Sequence, residues 1–370
     1  MCSKSSDCLN STDCSKPSDA LSNIQKYYGT TIKSRADLVT TACLVDDSQS
    51  TGLVRKARKN VHQEVQDRFY GCGSPIPPVV EGLTVLDLGC GTGRDCYILS
   101  QLVGPKGRII GVDMSADQIE VANRHADWHA ERFGFKNFEY KNGQMEDLAK
   151  LGIKDSSIDL VVSNCVLNLS LDKAQVVREI FRVLKPGGEL YFSDIFTDRR
   201  LPSDLMQDPT LHGECLAGAW YKEDLRRLLA SSGCADLRIT TSRPIEISNQ
   251  EVAEKIGFAA FTSCTIRAFK LDTLEDRSED YGQVIMYKGN LSGHPHTFQL
   301  DAEHEFPQGK RVPVSGNTAD ILTATRFAPY FELVGDKSIH FGLFQPSTLP
   351  AVTSATSVAE TSQPSKGGCC

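Results

Sequence analysis

Residues 85–93 read Val85-Leu86-Asp87-Leu88-Gly89-Cys90-Gly91-Thr92-Gly93. The short apolar run reads as a buried strand, and the three alternating glycines end it in a turn. A loop this bare lets backbone amides approach a ligand closely, and amides at the start of the next helix suit a carboxylate or phosphate. Alone, such a loop is equally a tight turn that binds nothing. Its surroundings give it weight. Between Leu83 and about Ser242, short apolar runs alternate with helical patterns, which is the signature of a parallel sheet with crossover helices. Strands are expected at Thr84–Leu88, Arg108–Val112, Phe138–Lys141, Ile158–Ser163 and Glu189–Asp194. Ala174, Val177, Ile180, Phe181 and Leu184 mark one face of a helix expected to stop at Lys185-Pro186-Gly187-Gly188.

The second strand ends at Val112-Asp113-Met114, ~20 residues beyond the glycines, where an acidic side chain can accept both hydroxyls of a ribose. The glycine pattern differs from the G-x-G-x-x-G that seats a dinucleotide pyrophosphate. Together with Leu184-Lys185-Pro186-Gly187-Gly188, the set resembles a class I (Rossmann-like) methyltransferase that uses S-adenosyl-L-methionine. The resemblance implies that Asp87, Gly89 and Gly91 hold the methionine end, near Asn164. It also implies that Asp113 and Met114 meet the ribose side and that Met145 and Glu146 flank the adenine.

The chain has 370 residues, with 40 Lys+Arg against 47 Asp+Glu for a net charge of −7, and no long basic run. That balance argues against a nucleic-acid partner. No apolar stretch approaches the roughly 18 residues of a membrane span, and the first residues lack the apolar block of a secretory signal, so we expect a cytoplasmic protein with no membrane partner. Five regions are expected. They are a disordered tail (1–20), a helical segment (21–75), the methyltransferase domain (76–243), a smaller α+β domain (244–344) and a second disordered tail (345–370). In the helical segment, Val54, Ala57, Val61, Val65 and Phe69 recur at helical spacing and form one apolar face.

The 13 cysteines are too many for a chain of this size in a reducing compartment, unless they bind or cycle. No paired CxxC or HExxH points to zinc. Cys165 lies at the carboxyl end of the fourth strand, where ligands bind in open α/β sheets, and Cys215 follows the fifth. Thiolates favour soft ions. No His, Asp or Glu stands out as a general base, and a metalloid held by three sulfurs keeps a lone pair that needs none. Phe69-Tyr70-Gly71-Cys72-Gly73, Gly89-Cys90-Gly91-Thr92-Gly93-Arg94-Asp95-Cys96, Ser163-Asn164-Cys165-Val166-Leu167-Asn168-Leu169 and Gly213-Glu214-Cys215-Leu216 together resemble the arsenite S-adenosylmethionine methyltransferases over roughly residues 25 to 340.

That resemblance implies As(III) bound by Cys165 and Cys215 with Cys72 completing the site. It further implies Tyr70 beside the sulfonium and a Cys43–Cys72 disulfide formed in turnover and reduced by thioredoxin or glutathione. The expected protein is a monomer that takes arsenite and methylated trivalent arsenicals as thiol adducts, giving mono- and dimethylated products. Rival readings are a methyltransferase for another small molecule and a non-catalytic thiol module that sequesters metalloids. Cys96, Cys234 and Cys264 read as small buried hydrophobes, and Cys90 as a small loop residue. His125, Trp128 and His129 read as a helix face. Arg267, Phe269 and Tyr287 carry no motif, and no role is transferred to Cys2, Cys8, Cys14, Cys369 or Cys370.

Overall fold

The computed structural model describes residues 51–345, without the side chains of Gln207 and Pro209. Expectations for both tails, and for Cys43, lie outside the described residues. Two short helices come first, α1 (Gly52–Arg58) and α2 (Gln63–Asp67). The face residues Val54, Ala57, Val61, Val65 and Phe69 are all buried, but the single helix expected there is two. The first helix ends at Arg58, and His62 leaves helical geometry at ψ 141° with its side chain accepting from the Glu64 amide, so it caps the start of the second.

The large sheet then unfolds as β1 (Thr84–Leu88), α3 (Arg94–Val103), β2 (Arg108–Asp113), α4 (Ala116–Arg124), α5 (Ala126–Phe133), β3 (Phe138–Asn142) and β4 (Ile158–Asn164). It continues with α6 (Lys173–Val183), β5 (Leu184–Thr197), α7 (Pro209–Gly213), β6 (Trp220–Tyr221), α8 (Lys222–Ser231), β7 (Arg238–Ile245), α9 (Gln250–Ile256) and β8 (Phe261–Phe269). The strand order is β3-β2-β1-β4-β5-β8-β7, with β6 beside the end of β5. β1 to β5 are mutually parallel, and β8 runs antiparallel between β5 and β7. Leu86, Leu88, Ile110, Val112 and Val161 face a core shared with α6 and α8, while Val85, Ile109, Leu160 and Val162 face one shared with α1 to α3. Burial on both faces is what makes these strands read as continuous apolar runs. The order reverses between β1 and β4, so a crevice opens at their carboxyl ends.

Two expectations need correction. The α6 helix ends at Val183, and Lys185-Pro186-Gly187-Gly188 lies within β5 rather than merely terminating a helix. The ladder survives this stretch with an irregularity between Ile158 and Leu160, because Gly187 donates to the Lys270 carbonyl and the Lys270 amide donates back to Gly188. The expected division at residue 243 falls inside β7, and β8 beyond it sits within the large sheet.

After β8 the chain forms β9 (Glu279–Asp280), β10 (Val284–Tyr287), β11 (Thr297–Gln299), β12 (Glu305–Pro307), β13 (Arg311–Pro313), α10 (Gly316–Thr323), β14 (Phe331–Val334) and β15 (Gly342–Leu343). Tyr287, Phe298, Phe306, Phe327 and Phe331 fill its core. Glu189 on β5, fully buried, accepts from Arg267 Nε at 2.6 Å and also binds Arg326, while Arg267 donates to the Leu300 carbonyl. This ion cluster locks the C-terminal unit to the sheet. Among the described residues no helix is long and apolar enough to cross a membrane.

Removing one partner of a buried pair leaves an uncompensated charge, a loss of about 3–5 kcal/mol. Glu189→Ala is therefore expected to lower the urea unfolding free energy of the chain by about that amount. A change below about 1 kcal/mol would show that the cluster does not hold the unit in place.

Candidate active site

The crevice at the carboxyl ends of β1, β2 and β4 has a cavity volume of about 120 Å³ and opens to solvent. All nine residues expected to meet the cofactor line it: Tyr70, Asp87, Gly89, Gly91, Asp113, Met114, Met145, Glu146 and Asn164. The turn from β1 into α3 holds Gly89, Gly91 and Gly93 at φ of 70°, 54° and 84°, values that favour glycine. Asp113 clamps this turn, since its Oδ2 accepts from the Gly91 amide at 2.9 Å and its Oδ1 from the Ser115 amide at 2.8 Å. Each oxygen keeps a second lone pair for a ligand hydroxyl. Glu146 accepts from the Ser170 hydroxyl at 2.6 Å.

Four carboxylates, Asp87, Asp95, Asp113 and Glu146, line the crevice against one guanidinium, Arg68. Burial, and then the neighbouring Asp95, pushes the Asp87 carboxyl well above the ordinary range, opposed by a hydrogen bond from Cys96. Burial likewise raises Asp113. Such a cleft suits a ligand that carries positive charge, as the sulfonium and ammonium of S-adenosylmethionine do.

One end of the crevice is closed by thiols. Cys165 lines it, and the Sγ atoms of Cys72 and Cys165 and a carboxylate oxygen of Asp194 all lie within 4.8 Å of one another. Asn164 sets the geometry. Its Oδ1 accepts from the amides of Cys72 (3.1 Å) and Gly73 (3.3 Å), and its Nδ2 donates to the Gly73 carbonyl (2.9 Å) and to Asp95 (3.0 Å). A Cβ on Gly71 would stand 2.7 Å from Asn164 Oδ1, and one on Gly73 would stand 2.4 Å from Ser193 Oγ, so only glycines let the Cys72 loop approach this closely. Ser263 on β8 donates to the Cys72 carbonyl at 2.7 Å.

Cys215 is adjacent but outside the trio, its thiol turned to the Cys165 carbonyl at 3.3 Å. Cys165 and Cys215 have φ of 60° and 64°, two of only four non-glycine residues with positive φ among the described residues. Backbone held there costs roughly 1–3 kcal/mol and concentrates at functional sites. All three cysteines are buried in an apolar cluster with Leu169, Ile195, Leu211 and Phe261. Burial raises the Cys72 thiol.

Sequence reasoning passed over Asp194. It is fully buried, accepts from the Ile195 and Asn168 amides and from Trp220 Nε1, and burial followed by the nearby Cys215 pushes it up to about 8. Nearby Lys173 is pulled down to about 8 by burial; it donates to the Gly218 carbonyl and sits over the Trp220 ring. Asp194 could have been found by the rule that singled out Cys165, because both lie toward the carboxyl ends of adjacent strands. Asp95 was also missed. Cys96, Cys234 and Cys264 are buried as expected, and Cys90, read as a small loop residue, is buried too. His62, Glu64 and His125 meet away from the crevice.

The sheet order and the lined crevice define a class I S-adenosylmethionine-dependent methyltransferase. Residues 80–233 match the family described as Methyltransferase domain, and residues 280–370 match the Arsenite methyltransferase C-terminal domain. The chain is 50% identical to an arsenite methyltransferase of Aquipseudomonas alcaligenes, covering 90% of this chain and 99% of that one. It is 42% identical to the Homo sapiens arsenite methyltransferase, covering 94% and 96%. An arsenic(III) S-adenosylmethionine methyltransferase of Chlamydomonas reinhardtii superposes with a TM-score of 0.77 at 46% identity, over 80% of this chain and 99% of that one. The chain belongs to the arsenite methyltransferase family.

Because the Asp87 carboxylate attracts a cation only when ionised, and its pKa is raised, affinity for S-adenosylmethionine is expected to fall as pH drops through that raised pKa. Equilibrium dialysis should show the fall beginning above the usual carboxylate range near pH ~4 and flattened in Asp87→Asn. An identical profile in that variant would remove Asp87 from cofactor binding.

Proposed function

We propose that this chain methylates trivalent arsenic bound by Cys72, Cys165 and Cys215, giving mono- and dimethylated arsenicals. The observation that carries the reading is the Cys72–Cys165 thiol pair, buried in apolar surroundings at the end of the cofactor crevice with Cys215 against it. Three thiols condense with As(OH)3 to form three As–S bonds and release three waters. Cys215 joins by exchanging its hydrogen bond to the Cys165 carbonyl for an As–S bond. S-adenosylmethionine, when bound, supplies an electrophilic methyl group on a cationic sulfonium. Asp87, the glycine turn, Asp113 and Glu146 hold and orient it, and Tyr70 stands beside its sulfonium end. The thiolate-bound arsenic keeps its lone pair, so no general base is required. The apolar cluster excludes water from the reacting end.

As the arsenic lone pair forms the As–C bond, the sulfonium S–CH3 bond breaks and S-adenosylhomocysteine is the leaving group, which raises arsenic formally from trivalent to pentavalent. The Cys43 sulfur then attacks the Cys72 sulfur and gives up its proton, the Cys72 S–As bond breaks with its electron pair left on arsenic, and arsenic returns to the trivalent state as Cys43 and Cys72 become a disulfide. Thioredoxin or glutathione then reduces that disulfide by thiol exchange. Cys72 also borders a second cleft, lined by Thr51, Ser74, Tyr191 and Thr241. It thus lies between the cofactor side and a cleft that Thr51, the first described residue, also lines. The same reading makes the protein a cytoplasmic monomer.

Radiolabelled S-adenosylmethionine, As(III) and excess thiol are expected to yield labelled methylarsenicals with the unaltered chain, and background counts with Cys165→Ser or Cys215→Ser. Full turnover in either variant would remove the proposed site, and methylation of an organic acceptor alone would favour another small-molecule methyltransferase. Cys43→Ser is expected to impair arsenite methylation more than methylation of monomethylarsonous acid. Equal loss on both would overturn a role of Cys43 specific to the first round.

A further inference from the structure

Two cysteines outside the proposed arsenic site share a space beside the cofactor. Cys90 lies in the glycine turn and borders the crevice, while Cys96, in the first turns of α3, is fully buried behind it. Gly111 on β2 makes the room. A Cβ there would stand 2.8 Å from Cys90 Sγ and 3.0 Å from Cys96 Sγ, so both sulfurs abut the same point, and the two thiols are within hydrogen-bonding reach of each other. Cys96 also donates to Asp87 Oδ2 at 3.2 Å, linking the pair to a carboxylate that lines the crevice.

We propose that Cys90 and Cys96 form a second dithiol site, one that takes trivalent arsenicals of the type R–As(OH)2 and excludes S-adenosylmethionine while occupied. The ligand class rests on the proposed function, whereas the site rests on the placement of the two sulfurs. Each thiol proton leaves with one arsenic-bound hydroxyl as water. Two S–H and two As–O bonds break, two As–S bonds form, and arsenic stays trivalent, so neither oxidant nor reductant is needed. The chelate removes the Cys96 hydrogen bond to Asp87 and ties the turn to α3. It also puts the organic group of the arsenical beside the wall of the crevice, because Cys90 is the residue of the pair that borders it. Access to Cys96 runs past Cys90, so bound cofactor shields the pair. Cofactor and arsenical are thereby antagonists at this site, whereas at Cys72, Cys165 and Cys215 they are co-substrates.

The test uses the full chain carrying Cys165→Ser, reduced, with phenylarsine oxide in excess over its cysteine pairs, and reads binding of radiolabelled S-adenosylmethionine by equilibrium dialysis. Phenylarsine oxide is expected to weaken cofactor binding by about tenfold or more. Dimercaptopropanol should restore it, and a monothiol should not. Adding Cys96→Ala should abolish the effect, each variant being compared with its own cofactor affinity without arsenical. Cys90→Ala serves as the second variant if Cys96→Ala does not fold. Unchanged cofactor affinity in the Cys165→Ser chain, or an equal loss after removal of Cys96 or Cys90, would overturn the proposal. Neither readout requires methyl transfer, so failure of the arsenic-methylation reading would register separately.

Discussion

Asn164 is the residue on which the site's geometry depends. Its side chain accepts two amides and donates twice, and the four bonds tie the Cys72 loop, the end of β4 and Asp95 of α3 into one unit. The next residue is Cys165, whose amide donates to the Ser193 carbonyl at 2.7 Å. One amide side chain therefore fixes the approach of a thiol from residue 72 to a thiol from residue 165, and attaches both to the wall of the cofactor crevice. Gly71 and Gly73 are small because that approach leaves no volume for a Cβ.

The electrostatics differ at the two ends. The crevice gathers Asp87, Asp95, Asp113 and Glu146 where a cationic ligand would neutralise them. The thiol end is lined by apolar side chains, and the carboxylate that meets the Cys72 and Cys165 thiols, Asp194, is raised by burial and held by two amides and an indole N–H. Burial raises the Cys72 thiol, so under the proposed function arsenic hydroxyls leave as water with the thiol protons as the As–S bonds form. A metalloid has no charge to be neutralised in that form, which is why a neutral, dry end suits it and a cationic cofactor is better served by the acidic end.

The parts of this arrangement that were legible in sequence are the local ones. The glycine turn announces itself because its backbone conformation restricts residue type, and Asp113 and Cys165 announce themselves because strand ends are marked by the change from apolar to polar residues. The break between α1 and α2 was not legible, since Val54 to Phe69 keep helical spacing across it, and it is made by turn bonds from Asn60 and Val61 after Arg58 and by the His62 cap that starts α2. Lys185-Pro186-Gly187-Gly188 misled for a related reason. Its continuation in β5 depends on Lys270, far away in sequence, which supplies both bonds the strand would lack. Arg267 carried no signal because its partner is Glu189, and Ser263 none because its partner is the carbonyl of Cys72.

These long-range bonds give the C-terminal half a definite part in the chemistry. β8 runs antiparallel beside β5, and both strands serve twice. Near one end of the pair, Glu189 of β5 and Arg267 of β8 anchor the aromatic core of the C-terminal unit. Further along, Asp194 of β5 meets the thiols and Ser263 of β8 holds the Cys72 carbonyl. A stress that separates the unit from Glu189 thus acts on the same two strands that position Cys72, even though residues 280–345 contribute no side chain to the cofactor crevice. Under the proposed function the unit braces the thiol end of the site through the β5–β8 pair that carries both sets of contacts, rather than by contact with the thiols themselves.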